Sequence, residues 1–281
     1  MIQLLYEDLV RRTLREDLGR GGDLTSEATI PPGTRGSGAL LVREAGVVAG
    51  LEVALLAFRA LDPDVTVEVE VGDGTTVEPA TTLARLEGDA RSLLAAERTA
   101  LNFLGHLSGV ATTTRAVVDA VEGTGARIVC TRKTTPGLRT LEKYAVRVGG
   151  GTNHRTGLDD GILIKDNHRR LAGGVRPAIE GARERAGHMV TIELEVDTLE
   201  ELREGLALGV DVFLLDNMGP DLLREAVQIT AGRAVLEASG GITPDTVRSI
   251  AETGVDLISL GWLTHSARSL DVSLDLKLGA F

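Results

Sequence analysis

The sequence predicts an α/β protein built in two parts, and three observations predict it. From Ala126 onward, short β-rich runs alternate with helical segments of 10–15 residues, the rhythm of a parallel sheet with helical crossovers. Each run ends in a charged, polar or glycine residue. The first hundred residues lack this rhythm and read instead as α+β.

In the first part, residues 4–17 have the spacing of an amphipathic helix, and residues 51–60 that of a second helix. Residues 37–43, 65–71 and 81–87 read as strands, with the turn Gly72-Asp73-Gly74 between the last two. The run 65–71 alternates strictly, so a half-buried strand is expected, with one sheet face covered. Arg91 to about Val121 carries helical spacing. Asp89 or Ser92 is its candidate cap, and Gly105 or Gly109 its candidate break.

In the second part the strands are 127–131, 161–165, 190–196, 210–216, 233–239 and 256–260. They end in Arg132/Lys133, Lys165, Glu195, Asp216, Ser239 and Gly261, and the last four steps are 30, 21, 23 and 22 residues. A doubly wound open sheet fits the alternation. The polar strand ends favour barrel-like closure, because a parallel barrel gathers its C-terminal strand ends at one mouth.

The chain has 281 residues, 43 % hydrophobic and 25 % charged, enough for one large or two modest domains. Its pI near 5.0 argues against a sequence-independent nucleic-acid binder and against anionic membranes. No apolar run approaches a membrane span, and the amphipathic, charged start is unlike a secretory signal. The single Cys130 excludes an internal disulfide and any cysteine metal cluster. A cytoplasmic protein is expected.

Against this acidic background, residues 127–170 hold ten Lys and Arg but four Asp and Glu, a balance of +6, while the chain totals −11 and the remainder −17. The chain uses 26 Arg and only 4 Lys, yet Lys133, Lys143 and Lys165 fall in this window. Concentrated charge of this kind points to a small, multiply anionic ligand.

The stretch Thr131 to Arg139 leaves a strand with two cations, then hydroxyls and Pro136-Gly137, and its backbone N–H groups suit an anion. A solvated strand end with a helix cap explains it equally well. Gly149-Gly150-Gly151 precedes Asn153-His154-Arg155, and the glycines permit close approach of a ligand or simply flexibility. His154 alone reads as structural; beside Arg155 and ahead of Lys165 it gains weight. Glu193 and Glu195 share a strand face. Glu195 and Asp216, on neighbouring strand ends opposite the cations, read as ribose-hydroxyl or Mg²⁺ ligands, against the plain alternative of salt-bridge partners. Ser239-Gly240-Gly241 and Gly261-Trp262-Leu263 occupy late strand ends, where β/α barrels bind phosphate; ordinary turn glycines are the alternative. All four asparagines, Asn102, Asn153, Asn167 and Asn217, lie beside these candidates. No histidine or cysteine spacing supports zinc, and no Ser-His-Asp set is present. His265 and Cys130 read as structural.

Taken together, these segments resemble the quinolinate phosphoribosyltransferases, the carboxylating nicotinate-nucleotide pyrophosphorylases. The matching stretches run in order from Glu16-Asp17-Leu18-Gly19 with Gly22-Asp23-Leu24-Thr25 through Glu97-Arg98-Thr99-Ala100-Leu101-Asn102, Thr131 to Arg139, Gly150 to Arg155, Leu163 to His168, Glu193 to Val196, Leu215-Asp216-Asn217 and Ser239-Gly240-Gly241 to Leu263-Thr264-His265-Ser266. Cys130 stands where the family often has Asp, and Trp262 where it often has Ala.

The resemblance implies an N-terminal α/β sandwich over residues 1–107, joined by the tail 267–281, and an incomplete parallel β/α barrel over 108–266. It implies a pentosyltransferase that converts quinolinate and phosphoribosyl pyrophosphate (PRPP) to nicotinate mononucleotide, pyrophosphate and CO₂ with Mg²⁺, in NAD biosynthesis, as a homodimer or higher assembly. Arg98 (from the partner subunit), Arg132, His154, Arg155 and Lys165 would hold quinolinate. Lys133 would contact PRPP, Thr131 would be a further substrate-binding residue, and Glu195 and Asp216 would hold ribose hydroxyls and metal. Ser239, Gly240, Gly241 and Gly261 would receive phosphate, with Trp262 and Leu263 as further substrate-binding residues. Lys133, Lys165, Glu195 and Asp216 are the expected catalytic group. The rivals are a nicotinate phosphoribosyltransferase that does not decarboxylate, a Schiff-base aldolase using Lys165, and a non-catalytic phosphometabolite-binding module.

Overall fold

The computed structural model describes residues 2–279. They form two compact units, one of residues 2–115, 140–150 and 266–279, the other of residues 116–139 and 151–265.

The first unit is built on β1 (Arg35–Val42), β2 (Gly46–Val47), β3 (Thr66–Val69), β4 (Thr76–Val77) and β5 (Thr82–Asp89), with the C-terminal strand Val272–Leu278. That last strand, β1, β5 and β3 make an antiparallel sheet in this order. β2 pairs with β4 alone. The helix Leu51–Leu61 buries seven of its eleven residues and packs against the helix Glu7–Leu18. Asp73 supplies its N-terminal cap, accepting from the backbone N–H of Gly50 at 2.8 Å and of Leu51 at 3.0 Å. The Tyr144 hydroxyl donates to the same carboxylate at 2.7 Å.

Two readings of this unit need correcting. β3 is an edge strand, and its alternation buries little: Val69 is 46 % exposed and Val67 only half-buried. Alternation fixes which residues share a face, but a covering layer is needed to bury that face. The long helix does not break either. It runs Ala90–Ala120 without interruption, with Asp89 accepting from the Ser92 N–H at 2.9 Å. Leu93, Ala96, Ala100, Leu104, Leu107 and Ala111 form its fully or nearly fully buried stripe. Gly105 and Gly109 are there for close approach. A Cβ at Gly109 would stand 2.1 Å from the Arg268 carbonyl oxygen, and one at Gly105 2.8 Å from that of Leu270. The Leu270 N–H donates to the Gly105 carbonyl at 2.9 Å.

The second unit contains β6 (Arg127–Val129), β7 (Ile162–Ile164), β8 (Ile192–Val196), β9 (Val212–Asp216), β10 (Val235–Ser239) and β11 (Leu257–Ser259). All ladders are parallel, in the order β6-β11-β10-β9-β8-β7. Thr152 adds a parallel bridge to Val129, a seventh position that the sequence pattern did not reveal because it is one residue long. Among the described residues no ladder joins Thr152 to β7, so the barrel is incomplete there. The helices Val175–Arg185, Leu199–Ala207 and Pro220–Thr230 connect the strands. Leu194, Val196, Phe213, Leu215, Leu236 and Ala238 lie in the apolar cluster that includes the helical Leu202 and Leu223. Because strand side chains alternate, the intervening positions Glu193, Glu195, Leu214, Asp216, Glu237 and Ser239 share the other face.

Candidate active site

That other face opens at the C-terminal strand ends into a cavity of about 610 Å³. Its cationic side is Arg132, Lys133, Arg155 and Lys165, and its acidic side Glu195, Asp216 and Glu237. Thr131, His154, Asn217, Ser239, Gly240 and Gly241 also line it, with Ser259 and the apolar Leu163 and Leu214. A separate cavity of about 490 Å³ includes Asp211, Arg233 and Asp256. There Asp256 accepts the Leu236 N–H at 2.8 Å and Arg233 donates to the Thr230 and Ile229 carbonyls. Those groups already serve the fold.

The cationic loop is held by its own residues. Thr131 accepts the Lys133 N–H at 3.0 Å, and Arg139 donates to the Thr134 hydroxyl at 3.0 Å and the Thr156 carbonyl at 3.1 Å. The Thr264 hydroxyl donates to the Lys133 carbonyl at 2.6 Å. Gly261 makes room for the lysine stem, since a Cβ there would meet Lys133 Cδ at 2.8 Å. The Arg155 guanidinium donates to the Gly161 carbonyl at 2.8 Å. The Nε atoms of Arg132 and Arg155 are buried without a hydrogen-bond partner. Burial, then the neighbouring Arg132 charge, pulls the Arg155 guanidinium below its ordinary value. Two like charges close together with idle donors form a site prepared for an anion.

On the acidic side, Lys165 Nζ lies 2.5 Å from Glu195. Asp216 stands opposite Ser239 in the ladder and accepts from the Asn217 amide at 2.7 Å. Burial, then the Glu195 and Asp197 charges, raises its carboxyl above the usual carboxylate range. Under Asp216 and Ser239, Glu195 and Glu237 both face Leu214 across their ladders. His154 Nε2 lies 2.9 Å from Glu193 and 3.8 Å from Glu237. Burial, then the Glu193 charge, pushes Glu237 up to about 7.

The glycine loop uses backbone conformations open to glycine. Gly240 has φ +94° and Gly241 φ +62°, and successive N–H groups in such turns form anion nests. A Cβ at Gly240 would stand 2.2 Å from Asn217 Oδ1. The following helix begins only at Val247, after a turn in which the Thr246 hydroxyl accepts the Thr243 N–H at 2.9 Å. The glycine loop is therefore separate from the N-terminus of that helix.

Most of the expected residues therefore meet, and the exceptions are informative. Leu263 is fully buried in the apolar cluster. Trp262 donates through Nε1 to the Ile242 carbonyl at 2.9 Å, bracing the glycine loop. Neither these two nor Gly261 lines the cavity. Arg98 belongs to the first unit and is exposed on the helix Ala90–Ala120. Of the ten island cations only four line the cavity; Lys143 is buried in the first unit, and Arg169 pairs with Asp197 and Glu201. Of the asparagines, Asn217 alone lines it, while Asn153 accepts from the buried Cys130 thiol at 3.3 Å. A Cβ at Gly149 would lie 2.4 Å from the Ala111 carbonyl, so that glycine serves packing. Glu237 and Ser259 escaped the sequence reading. The available signal was a polar residue two positions before a strand-end candidate, in an otherwise apolar run.

Comparison with known proteins follows the same order along the chain. The N-terminal domain of quinolinate phosphoribosyl transferase matches residues 23–108, and its C-terminal domain residues 110–275. The chain belongs to this family. It is 48 % identical to the carboxylating nicotinate-nucleotide pyrophosphorylase of Mycobacterium leprae over 96 % of both chains. It is 45 % identical to the probable enzyme of that name from Bacillus subtilis, over 99 % of this chain and 96 % of that one. NadC from Streptococcus pyogenes superposes with a TM-score of 0.96 at 40 % identity, covering 100 % of this chain and 99 % of the other.

Proposed function

We propose that this chain is a carboxylating nicotinate-nucleotide pyrophosphorylase, which transfers phosphoribosyl from PRPP to quinolinate with loss of CO₂. The observation that carries this reading is the pair Arg132 and Arg155, two adjacent guanidinium groups with buried, unpartnered Nε–H donors in one cavity with an acidic opposite side. Quinolinate has two neighbouring carboxylates, and such a dianion takes two cations. Arg132, Arg155 and Lys165 hold it. Lys133 meets PRPP, and the loop Ser239-Gly240-Gly241, with the room left by Gly261, receives phosphate. The carboxylates of Glu195 and Asp216 face the ribose, where positive charge builds as pyrophosphate departs. Once the ring nitrogen is ribosylated it accepts the electrons left when CO₂ leaves. The protein need only hold the dianion and exclude water.

Mg²⁺ fits the acidic side. Glu195 and Asp216 supply hard oxygen donors, and a cation there would offset the burial and the Glu195 and Asp197 charges that raise the Asp216 carboxyl. Glu195 and Asp216 would hold the ion, which would neutralise the leaving pyrophosphate. His154, Glu193 and Glu237 are also spaced as metal ligands. Their imidazole, however, has Nε2 against Glu193 and Nδ1 accepting the Arg155 N–H at 2.7 Å.

Lys165 Nζ is engaged by the Glu195 carboxylate, whereas a Schiff-base aldolase needs its lysine nitrogen free to attack a carbonyl. Arg98 completes the quinolinate site from the partner subunit of a homodimer. The setting is cytoplasmic; no helix among the described residues is long and apolar enough to cross a membrane. The test is purified protein with quinolinate, PRPP and Mg²⁺, measuring CO₂ and mononucleotide. Mononucleotide from nicotinate without CO₂ would establish the non-decarboxylating rival, and binding without turnover would leave a non-catalytic module.

A further inference from the structure

The cationic loop and the glycine loop reach the cavity from different strand ends, and one turn of chain holds both. The helix Trp262–His265 follows β11 after two residues. Its Thr264 hydroxyl donates to the Lys133 carbonyl at 2.6 Å. Its Trp262 ring donates through Nε1 to the Ile242 carbonyl at 2.9 Å. One acceptor lies in the cationic loop, and the other ends the glycine loop. The turn itself is anchored. Leu263 is fully buried and Thr264 only 1 % exposed. The Leu260 N–H donates to the Val129 carbonyl at 3.0 Å, which ties the preceding strand end to β6. The Lys133 stem lies against Gly261, which has no Cβ to displace it.

Both loops need an anchor at these carbonyls. Gly240 and Gly241 have the freest backbone in the site, so their N–H groups keep one direction only if the chain on either side is held. Upstream, the Asn217 N–H donates to the Ser239 carbonyl at 2.8 Å. Downstream, Trp262 holds the Ile242 carbonyl, which shares its peptide plane with the Thr243 N–H. In the cationic loop the Arg132 carbonyl has separate ties. It accepts from the Thr134 N–H at 3.0 Å, and from the Thr134 hydroxyl and the Arg139 guanidinium at 3.4 Å each. The next carbonyl, that of Lys133, is the one that Thr264 holds.

We propose that Trp262 and Thr264 are positioning residues: they fasten the two loops to one rigid turn and so set the spacing at which Lys133 and the Gly240-Gly241 N–H groups meet the two anionic ends of PRPP. That substrate carries a phosphate at one end and a pyrophosphate at the other. A preset spacing spares the protein the entropy of ordering two loops when it binds. The two links act in series. Losing either frees the spacing, and losing the second frees little more. Quinolinate, held by Arg132, Arg155 and Lys165, does not depend on the turn. The kinetic consequence rests on the reading of Lys133 and the glycine loop as the PRPP end; the anchoring of the loops does not.

The test joins hydrogen exchange of the free protein to steady-state kinetics. Trp262→Phe removes the ring N–H and keeps an aromatic side chain. Thr264→Val removes the hydroxyl at nearly constant volume, and Thr264→Ser keeps it. Without ligand, Trp262→Phe speeds amide exchange across residues 239–243 and Thr264→Val across 131–135, each roughly fivefold, while 210–216 is unchanged. Each of these two variants raises KM for PRPP roughly three- to tenfold and leaves KM for quinolinate within about twofold. Thr264→Ser stays near wild type in both measurements. The double variant Trp262→Phe/Thr264→Val stays within about twofold of the worse single variant, as links in series require. Unchanged exchange in either loop overturns the proposal. So do KM changes that multiply in the double variant, an equal rise in KM for quinolinate, a lower kcat with both KM values unchanged, or a Ser variant as impaired as the Val one. Should Trp262→Phe fail to fold, Thr264→Val against Thr264→Ser still decides. A wild-type protein that does not turn over quinolinate with PRPP would defeat the functional reading and leave the exchange data to answer for the anchoring.

Discussion

Arg155→Ala separates binding from folding, because the two effects have different sizes. In the free protein the guanidinium makes one hydrogen bond, to the Gly161 carbonyl at 2.8 Å, worth about 1 kcal/mol. Against this stand its burial, its repulsion from Arg132 and the idle Nε–H, all of which disfavour the folded state. The two sides nearly cancel, so the melting temperature should move by no more than about 2–4 °C. In the proposed role, the same group would make a charge-assisted contact to a quinolinate carboxylate, worth about 1.5–3 kcal/mol. Its loss should weaken quinolinate roughly 10- to 150-fold. Titration calorimetry with quinolinate and with PRPP, beside a thermal melt, reads all three quantities. The reasoning is refuted if quinolinate affinity falls less than about threefold, or if PRPP affinity falls equally. A melt lowered by more than about 10 °C would also refute it, by making Arg155 a structural residue.

Further outcomes follow from the same geometry. Burial raises Glu237 above its unfolded value, so the folded protein binds the extra proton, and this group's contribution to stability falls as pH rises from about 4.5 to about 7. Denaturant titrations across that range should show the wild type losing on the order of 1.4 kcal/mol per pH unit relative to Glu237→Gln; parallel curves would contradict the assignment. Asp216→Asn keeps the size and removes the charge, and should slow turnover and flatten the Mg²⁺ titration with the melt intact. Wild-type activity with an unchanged titration would take Asp216 out of the site. Gly240→Ala places a methyl on Asn217 in a positive-φ turn and should cost about 1–3 kcal/mol and weaken PRPP, read by a melt and by KM. Mixing inactive Arg98→Ala with inactive Lys165→Ala should restore about one quarter of wild-type activity, since half of the dimers would each keep one intact site. No recovery after verified subunit exchange would place Arg98 in its own chain's site or outside it.

The rhythm of the second unit was legible because periodicity and chain length decide it locally. Strands at 127–131, 190–196 and 210–216 needed only β-rich runs of the right length, and their observed cores fall inside those bounds. The candidates Arg132, Lys165, Glu195, Asp216 and Ser239 were legible for the same reason, since a polar residue ending an apolar strand has little to gain from packing. Three things were decided only in the tertiary structure. Gly105 and Gly109 looked like helix breaks, but the chain near Arg268 and Leu270 fills the space a side chain would take, and nothing local announces a neighbour about 160 residues away. The cationic window held ten positive residues, yet helical phase carried Lys143 and Arg169 into buried surroundings and left four at the cavity. The pairing of His154 with Glu193 and Glu237 depends on which strands are neighbours and in what register. A sequence fixes which face a strand side chain takes, but only the closed order of the sheet decides which other side chains it meets there.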